Sequence, residues 1–234
     1  MKRKPFKKNT VILLAAAVIL LLGSAAGSTR AALTYYSENY VAGIQTSSID
    51  VSLVENGNDT EVLLENLVGK DEKVVLGKSY DEAISVANTG SIDSYVRVIL
   101  TKSWKDASGA KDTTLSPELI DLNLVEGNGW VVDKAASTAE RTVLYYTGIV
   151  PAGAATAPLS DTVKIDPLVG TKVIETVKTD ANGKTITYVH EYDGYSFNID
   201  AEVNAVQTHN AQDAIKSAWG VDVSIAADGT LSLR

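Results

Sequence analysis

The stretch Phe197-Asn198-Ile199-Asp200-Ala201-Glu202-Val203 alternates apolar and polar side chains. Successive side chains of a β-strand point to opposite faces, so this pattern predicts a strand with one buried face and one solvent-exposed face. Similar short alternations recur along the chain at 49–53, 84–86, 96–100, 143–146, 163–165, 221–225 and 231–233. Seven or more short strands predict an all-β fold, either a sandwich or a barrel.

Turn and helix signals separate these strands. Asn182-Gly183 and Asp228-Gly229 each lie between two strand patterns, and both dipeptides favour tight hairpin turns. The stretch 151–158, rich in Ala and Gly, is predicted as a loop. One or two short helices are expected: a turn of helix that starts at Ser116-Pro117-Glu118, and a helix from Asn210 to Ala218, capped by Asn210 and ended by Gly220.

Charge is unevenly distributed along the 234 residues. The first 31 residues contain six Lys or Arg and no Asp or Glu, whereas the remaining 203 contain 15 Lys or Arg and 29 Asp or Glu. Contacts with nucleic-acid phosphates or anionic lipid need clustered cations, so the acidic body argues against both kinds of partner. The chain has no Cys, which excludes disulfides, Cys-ligated zinc and thiol nucleophiles.

The N-terminus has the layout of a secretory signal peptide. Basic residues precede the apolar run Val11–Leu22, and a stretch of small and polar residues then ends at Ala31. We expect cleavage after Ala31, a mature chain that begins at Ala32, and a secreted protein. The alternative is an uncleaved anchor, but the apolar run is shorter than the roughly 20 residues of a spanning helix.

Candidate catalytic residues are few. The chain has two histidines, and neither His190 nor His209 stands in a zinc-binding or Ser-His-Asp pattern, so we expect no enzyme activity, cofactor or metal. The acidic pairs Asp71-Glu72 and Asp81-Glu82 could ligate calcium, although adjacent acids in an acidic protein are usually only solvated. The run 180–183 resembles the start of an EF-hand loop, but a hairpin turn is the favoured interpretation.

Four stretches together resemble one family of exported bacterial proteins. They are the region 27–53 around the cleavage site and first strand, the run 86–98 with its N-x-G-x-x-D-x-Y-V-R-V pattern, the run 144–153 with its Tyr-Tyr pair, and the run 199–207 followed by an alanine-rich helix and Trp219. In this order they are similar to the TasA/camelysin family of Gram-positive surface and biofilm-matrix proteins. The predicted hairpin within 173–191 departs from the family pattern.

The resemblance implies a two-sheet jelly-roll sandwich over residues 48–234 and a role as a subunit of an extracellular fibre. It implies a signal peptidase and further copies of the same chain as partners, with other matrix proteins as possible additional ones. Residues 32–47 would be freed by cleavage and could be donated as a strand to a neighbour, with Leu33 and Tyr35 on one side and Tyr36 on the other.

Within the motif we assign Asn88, Gly90, Asp93, Tyr95 and Arg97 a structural role. Asn and Gly suit a tight turn, and strand alternation places Tyr95 and Arg97 on the face opposite Val96 and Val98. Two other functions remain open. Camelysin is described as a surface metallopeptidase, so the resemblance also allows that activity, and a monomeric adhesin would keep the fold without assembly.

Overall fold

The computed structural model describes residues 48–70, 72–113, 115–171, 173–180, 183–190 and 194–234. The predicted signal peptide and residues 32–47 lie outside this part of the chain. The strands are β1 (Val51–Glu55), β2 (Asn58–Thr60), β3 (Ser79–Asp81), β4 (Ile84–Asn88), β5 (Ser94–Lys105), β6 (Lys111–Asp112), β7 (Ile120–Leu124), β8 (Trp130–Val132), β9 (Arg141–Tyr146), β10 (Ser160–Ile165), β11 (Val173–Asp180), β12 (Gly183–His190), β13 (Ser196–Gln207), β14 (Val223–Ile225) and β15 (Leu231–Leu233). The helices are a 3-10 turn (Pro117–Leu119), α1 (Leu168–Thr171) and α2 (Ala211–Trp219).

The first layer of the fold joins two three-stranded antiparallel sheets, β2-β1-β4 and β3-β10-β7. Residues 153–159, most of the predicted loop, link them by running beside β4. The Asn88 amide donates to the Ala154 carbonyl at 2.8 Å, and the Thr156 amide donates to the Val86 carbonyl at 2.8 Å. This segment leads directly into β10, so the two sheets share one hydrogen-bonded surface.

The second layer is the antiparallel sheet β13-β5-β9-β8, with β6 paired to the end of β5. Its centre is the β5–β13 pair, which runs in register for 12 residues from Ser196 opposite Lys105 to Gln207 opposite Ser94. This is the longest strand pair in the described chain, and it includes the stretch 197–203 whose alternation predicted a strand.

The two layers enclose a common apolar core. The first layer contributes Ile84, Val86, Ile120, Val163 and Ile165, and the second contributes Val96, Val98, Leu100, Leu144 and Ile199; all ten are almost fully buried. Side chains from two facing sheets that fill one interior define a sandwich. The predicted all-β sandwich with short helices is therefore confirmed.

A second apolar cluster lies on the other face of β5. Helix α2 and the hairpin β14–β15 cover Tyr95, Ile99, Val143 and Tyr145 there, together with Val206 of β13. Tyr95 does lie opposite Val96 and Val98 as predicted, but it is only 2% exposed. Strand β5 is thus buried on both faces, a burial pattern that sequence alternation alone did not reveal.

The helix and turn predictions are mostly confirmed. Ser116 caps the 3-10 turn by accepting from the Glu118 amide, and Gly220 ends α2 in the left-handed conformation. Asn210 is the N-cap residue of α2, as predicted, but its side chain makes no capping bond. Its φ is 51°, whereas a capping side chain reaches the helix amides from extended backbone. Gly183 pairs with Asp180 inside the hairpin β11–β12 and so belongs to a strand rather than to the predicted turn. Gly229, in contrast, has φ 85° in the turn between β14 and β15.

The hairpin β11–β12, here called the arm, forms a separate two-stranded sheet. Every arm side chain that the structure describes is exposed, including those of Ile174, Val177, Ile186 and Tyr188. A lone two-stranded hairpin is marginally stable in water, so the arm is the least protected element of the described fold.

Replacement of Val98 by Ala tests the core assignment. Val98 is fully buried, so losing two methyl groups should lower the free energy of unfolding by about 1–3 kcal/mol. The matched control is Val62→Ala, because Val62 is 61% exposed and should tolerate the same change. Equal melting temperatures for the two variants would contradict the placement of Val98 in the core.

Candidate assembly site

Strand β13 is a long sheet edge in the described part of the chain. It pairs with β5 on one side over all 12 residues, and no other described strand pairs with its second side. About half of the backbone amides and carbonyls of an edge strand point away from its partner, so this side offers a row of donors and acceptors to an incoming strand.

The apolar side chains along this edge are incompletely covered. Phe197, Ala201, Val203 and Ala205 pack against the core but stay half-buried, whereas the facing positions of β5 are fully buried. Strand β1 contacts β13 across the two layers, and its Val51 is also half-buried. The core therefore retains accessible apolar surface along β13.

Acidic side chains lie on the polar face of the same edge strand. Asp200 and Glu202 are exposed on β13, and Asn198 donates a hydrogen bond to Asp200. Charges on an edge strand disfavour unselective pairing with other strands. An incoming strand with few acidic groups suffers the least repulsion here, and repulsion weakens further in salt.

The turn after β4 fixes where the chain enters the domain. The Asn88 side chain is buried; its Nδ2 donates to the carbonyls of Ile92 at 2.8 Å and Val150 at 2.9 Å, and its Oδ1 accepts from the Gly90 amide at 3.1 Å. The Gly90 amide also donates to the Asp50 carbonyl at 3.0 Å. The turn thereby holds the residues that lead into β1.

Gly90 is needed there because the backbone passes so closely. A Cβ atom at Gly90 would overlap the Ser48 carbonyl oxygen and lie 2.7 Å from the Asp50 nitrogen. The Ser91 amide adds a bond of 2.9 Å to the same Ser48 oxygen. Residues 32–47 directly precede Ser48, so this contact fixes the point from which they extend.

The other motif residues bind further segments to β5. The Asp93 carboxylate accepts from the Ala152 amide at 3.0 Å, and the Tyr95 hydroxyl donates to the Gly229 carbonyl at 2.8 Å. Burial, followed by the negative charge of Asp228, raises the pKa of Tyr95. The phenol therefore stays protonated and remains a donor at neutral pH.

Arg97 connects β5 to β13 and α2. Its Nε and Nη2 donate to Asn204 Oδ1 at 3.0 and 2.6 Å, and its guanidinium carbon lies 5.3 Å from the centre of the Trp219 ring. The Trp219 ring also packs on Tyr145 with 5.6 Å between centroids. All five motif residues thus make contacts within the described domain.

A buried carboxyl pair was missed by the sequence analysis. Glu82 is 1% exposed and lies beside Glu55, and its Oε1 atom has no hydrogen-bond partner. Burial, and then the bond to and charge of Glu55, raise the pKa of Glu82 to about 8. Glu55 also accepts from the Leu64 amide at 2.6 Å. Two acids 27 positions apart gave no sequence signal, because their pairing depends on the fold.

The acidic pair Asp81-Glu82, considered above as a possible calcium ligand, is not arranged to bind one ion. Asp81 is exposed whereas Glu82 is buried, so the two adjacent carboxylates point apart, as alternation in an extended segment requires. Asp71 of the other pair lies outside the described residues. Within the described chain, no group of three or more His, Asp or Glu is placed to hold a metal ion.

The two histidines lie in different surroundings. His190 ends β12 on the arm face that carries Ile186 and Tyr188, as predicted, and it lines an apolar groove of about 740 Å³ beside Trp104, Tyr195 and Phe197. His209 is exposed just before α2. The predicted cleavage residues Ala31 and Ala32 and the predicted donor residues Leu33, Tyr35 and Tyr36 lie outside the described residues.

No protein-family model matches the chain, and no curated protein matches it. Among the described residues, none of the helices has the length and apolar character needed to cross a membrane.

The Glu55–Glu82 pair predicts how stability depends on pH. The folded protein holds a proton on Glu82 up to a pKa of about 8, whereas an unfolded Glu loses it near 4.5. The contribution of Glu82 to the free energy of unfolding should therefore be highest below about pH 4.5 and fall as the pH rises towards 8, by at most about 1.4 kcal/mol per pH unit.

Glu82→Gln isolates this contribution, because the amide keeps a donor for Glu55 and cannot ionise. Denaturant unfolding at pH 5, 6, 7 and 8 should give a smaller loss of stability with pH in this variant than in wild type. The control Asp81→Asn removes an exposed neighbouring acid and should keep the wild-type slope. Identical slopes for wild type and Glu82→Gln would contradict the assignment.

Proposed function

We propose that this protein is a secreted structural subunit that polymerises into an extracellular fibre by strand donation. Residues 32–47 of one subunit would lie along the free side of β13 of the next. The observation that carries the proposal is the 12-residue edge of β13, with which no described strand pairs, beside half-buried apolar side chains. The resemblance of the sequence to the TasA/camelysin family points to the same role.

Length and composition make residues 32–47 a suitable donor. Sixteen residues in extended conformation span roughly 50 Å, longer than the 12 residues of β13. The segment contains Leu33, Tyr35, Tyr36, Tyr40 and Val41 but a single acid, Glu38. Its few charges suit an edge that carries Asp200 and Glu202.

The chemistry of strand addition fits a repeating polymer. Backbone hydrogen bonds supply affinity along the whole strand, and alternate side chains fill apolar positions that fix the register. Leu33 and Tyr35 would point towards the half-buried row of β13, and Thr34 and Tyr36 would point away. Each subunit has one donor and one acceptor, so the contact is head-to-tail and propagates.

Deletion of Ala32–Ser37 from the mature chain tests the proposal. The truncated protein should fold but form no filaments by electron microscopy, because it cannot donate its strand. It keeps the β13 edge, so adding it to wild type should shorten wild-type filaments in proportion to its share. Normal filaments from the truncated protein alone would rule out donation through this segment.

Point variants of the donor provide a matched comparison. Leu33→Ala with Tyr35→Ala removes the two side chains expected in the apolar row, each worth about 1.5–3 kcal/mol when buried, and should reduce filament yield strongly. Thr34→Ala changes a side chain on the opposite side and should leave the yield unchanged. The opposite ranking of the two variants would contradict the proposed facing.

A further inference from the structure

One face of the arm β11–β12 has an apolar centre that nothing in the described chain covers. The register places Val177 opposite Ile186, Glu175 opposite Tyr188, and Thr179 opposite Lys184, all on this face. Tyr188 is 63% exposed, Val177 45% and Ile186 42%. In an antiparallel pair, directly opposed residues share a face, so these six side chains form one continuous surface.

Charge on this face is arranged in order along the arm. The arm has a base, where residues 173 and 190 join the domain, and a tip at residues 180 and 183. Glu175 lies towards the base, the apolar pair Val177 and Ile186 lies at the centre, and the basic residue Lys184 lies towards the tip. Neither Glu175 nor Lys184 is in a salt bridge among the described residues. Their levels are four residues apart, about 13 Å, which is too far for contact within one arm.

The arm also differs in charge from the rest of the domain. Residues 173–190 contain two Lys and two acids, whereas the rest of 48–234 contains 13 Lys or Arg and 26 Asp or Glu. Copies of such an acidic body repel each other at most of their surface. The arm is a neutral surface by which two copies can approach.

We propose that the arms of two copies stack face to face about a two-fold axis, with the tip of each over the base of the other. The axis passes through the level of Val177 and Ile186, so these side chains pack on their counterparts. Two residues along the strand from this axis, Lys184 of each arm comes over Tyr188 of the other arm, with Glu175 of that other arm beside it. Glu175 of one arm meets Lys184 of the other only when the two arms run in opposite directions, with the tip of each over the base of the other.

Three kinds of interaction favour a second copy of the arm as the partner of this face. Stacked sheets lie about 10 Å apart and bury the apolar centre from both sides. A lysine over a tyrosine ring and next to a carboxylate gains both cation–π and ion-pair attraction. The opposite face of the arm presents Ile174, Thr176, Lys178, Thr185, Thr187 and Val189. Its apolar pair, Ile174 and Val189, lies at the end of the arm nearest the domain rather than between an acid and a lysine, so this face lacks the same order.

Charge reversal on each side of the contact tests the proposal. Glu175→Lys and Lys184→Glu are made separately in the mature chain, polymers are removed by a first centrifugation, and the supernatant is examined by sedimentation velocity. Wild type should show a concentration-dependent dimer. Each single variant should weaken it at least tenfold, and an equimolar mixture of the two variants should restore it, since every cross-arm pair is then again one Lys and one Glu.

The controls separate this contact from net charge and from misfolding. Lys178→Glu makes the same charge change as Lys184→Glu on the opposite face and should dimerise like wild type. If net charge alone governed association, Glu175→Lys would strengthen the dimer rather than weaken it. Circular dichroism of each variant checks the fold. A monomeric wild type, or a mixture no better than the single variants, would overturn the proposal.

Discussion

The buried side chain of Asn88 is the interaction on which the arrangement of the domain depends. It joins the end of β4, the turn before β5 and the segment that follows β9 by bonds to Ile92, Val150 and Gly90. These are the points where the chain crosses between the two layers. A buried amide with three partners is costly to disrupt, because each lost bond leaves a buried polar group unsatisfied.

Much of the layer structure could be predicted from sequence because alternation reports directly on one-sided burial. It succeeded for 197–203, where Asp200 and Glu202 do face solvent. It could not identify the covering of Tyr95 and Ile99, because a strand buried on both faces has no polar alternation. The position of β13 at the edge of its sheet among the described strands could not be predicted either, since strand order depends on long-range pairing that periodicity does not encode.

The surfaces proposed for association follow from how this domain distributes charge. An acidic body favours solubility and discourages unselective contact, and Asp200 and Glu202 extend that protection to the β13 edge. The two segments that we propose for association, residues 32–47 and the arm, are both nearly neutral. The turn at Gly90 holds the chain at Ser48 and Asp50, directly after the first of these segments ends.

Hydrogen exchange in the Asn88→Ala variant tests the central role of this junction most directly. The amides of Gly90, Ser94 and Gly153 bond to Asp50, Val150 and Asn88, which come from separate segments that the Asn88 side chain holds together. The account predicts that all three amides exchange faster by a similar factor in the variant, while the amides of the β14–β15 hairpin keep their wild-type rates. Unchanged protection at Gly90 and Gly153 would contradict it.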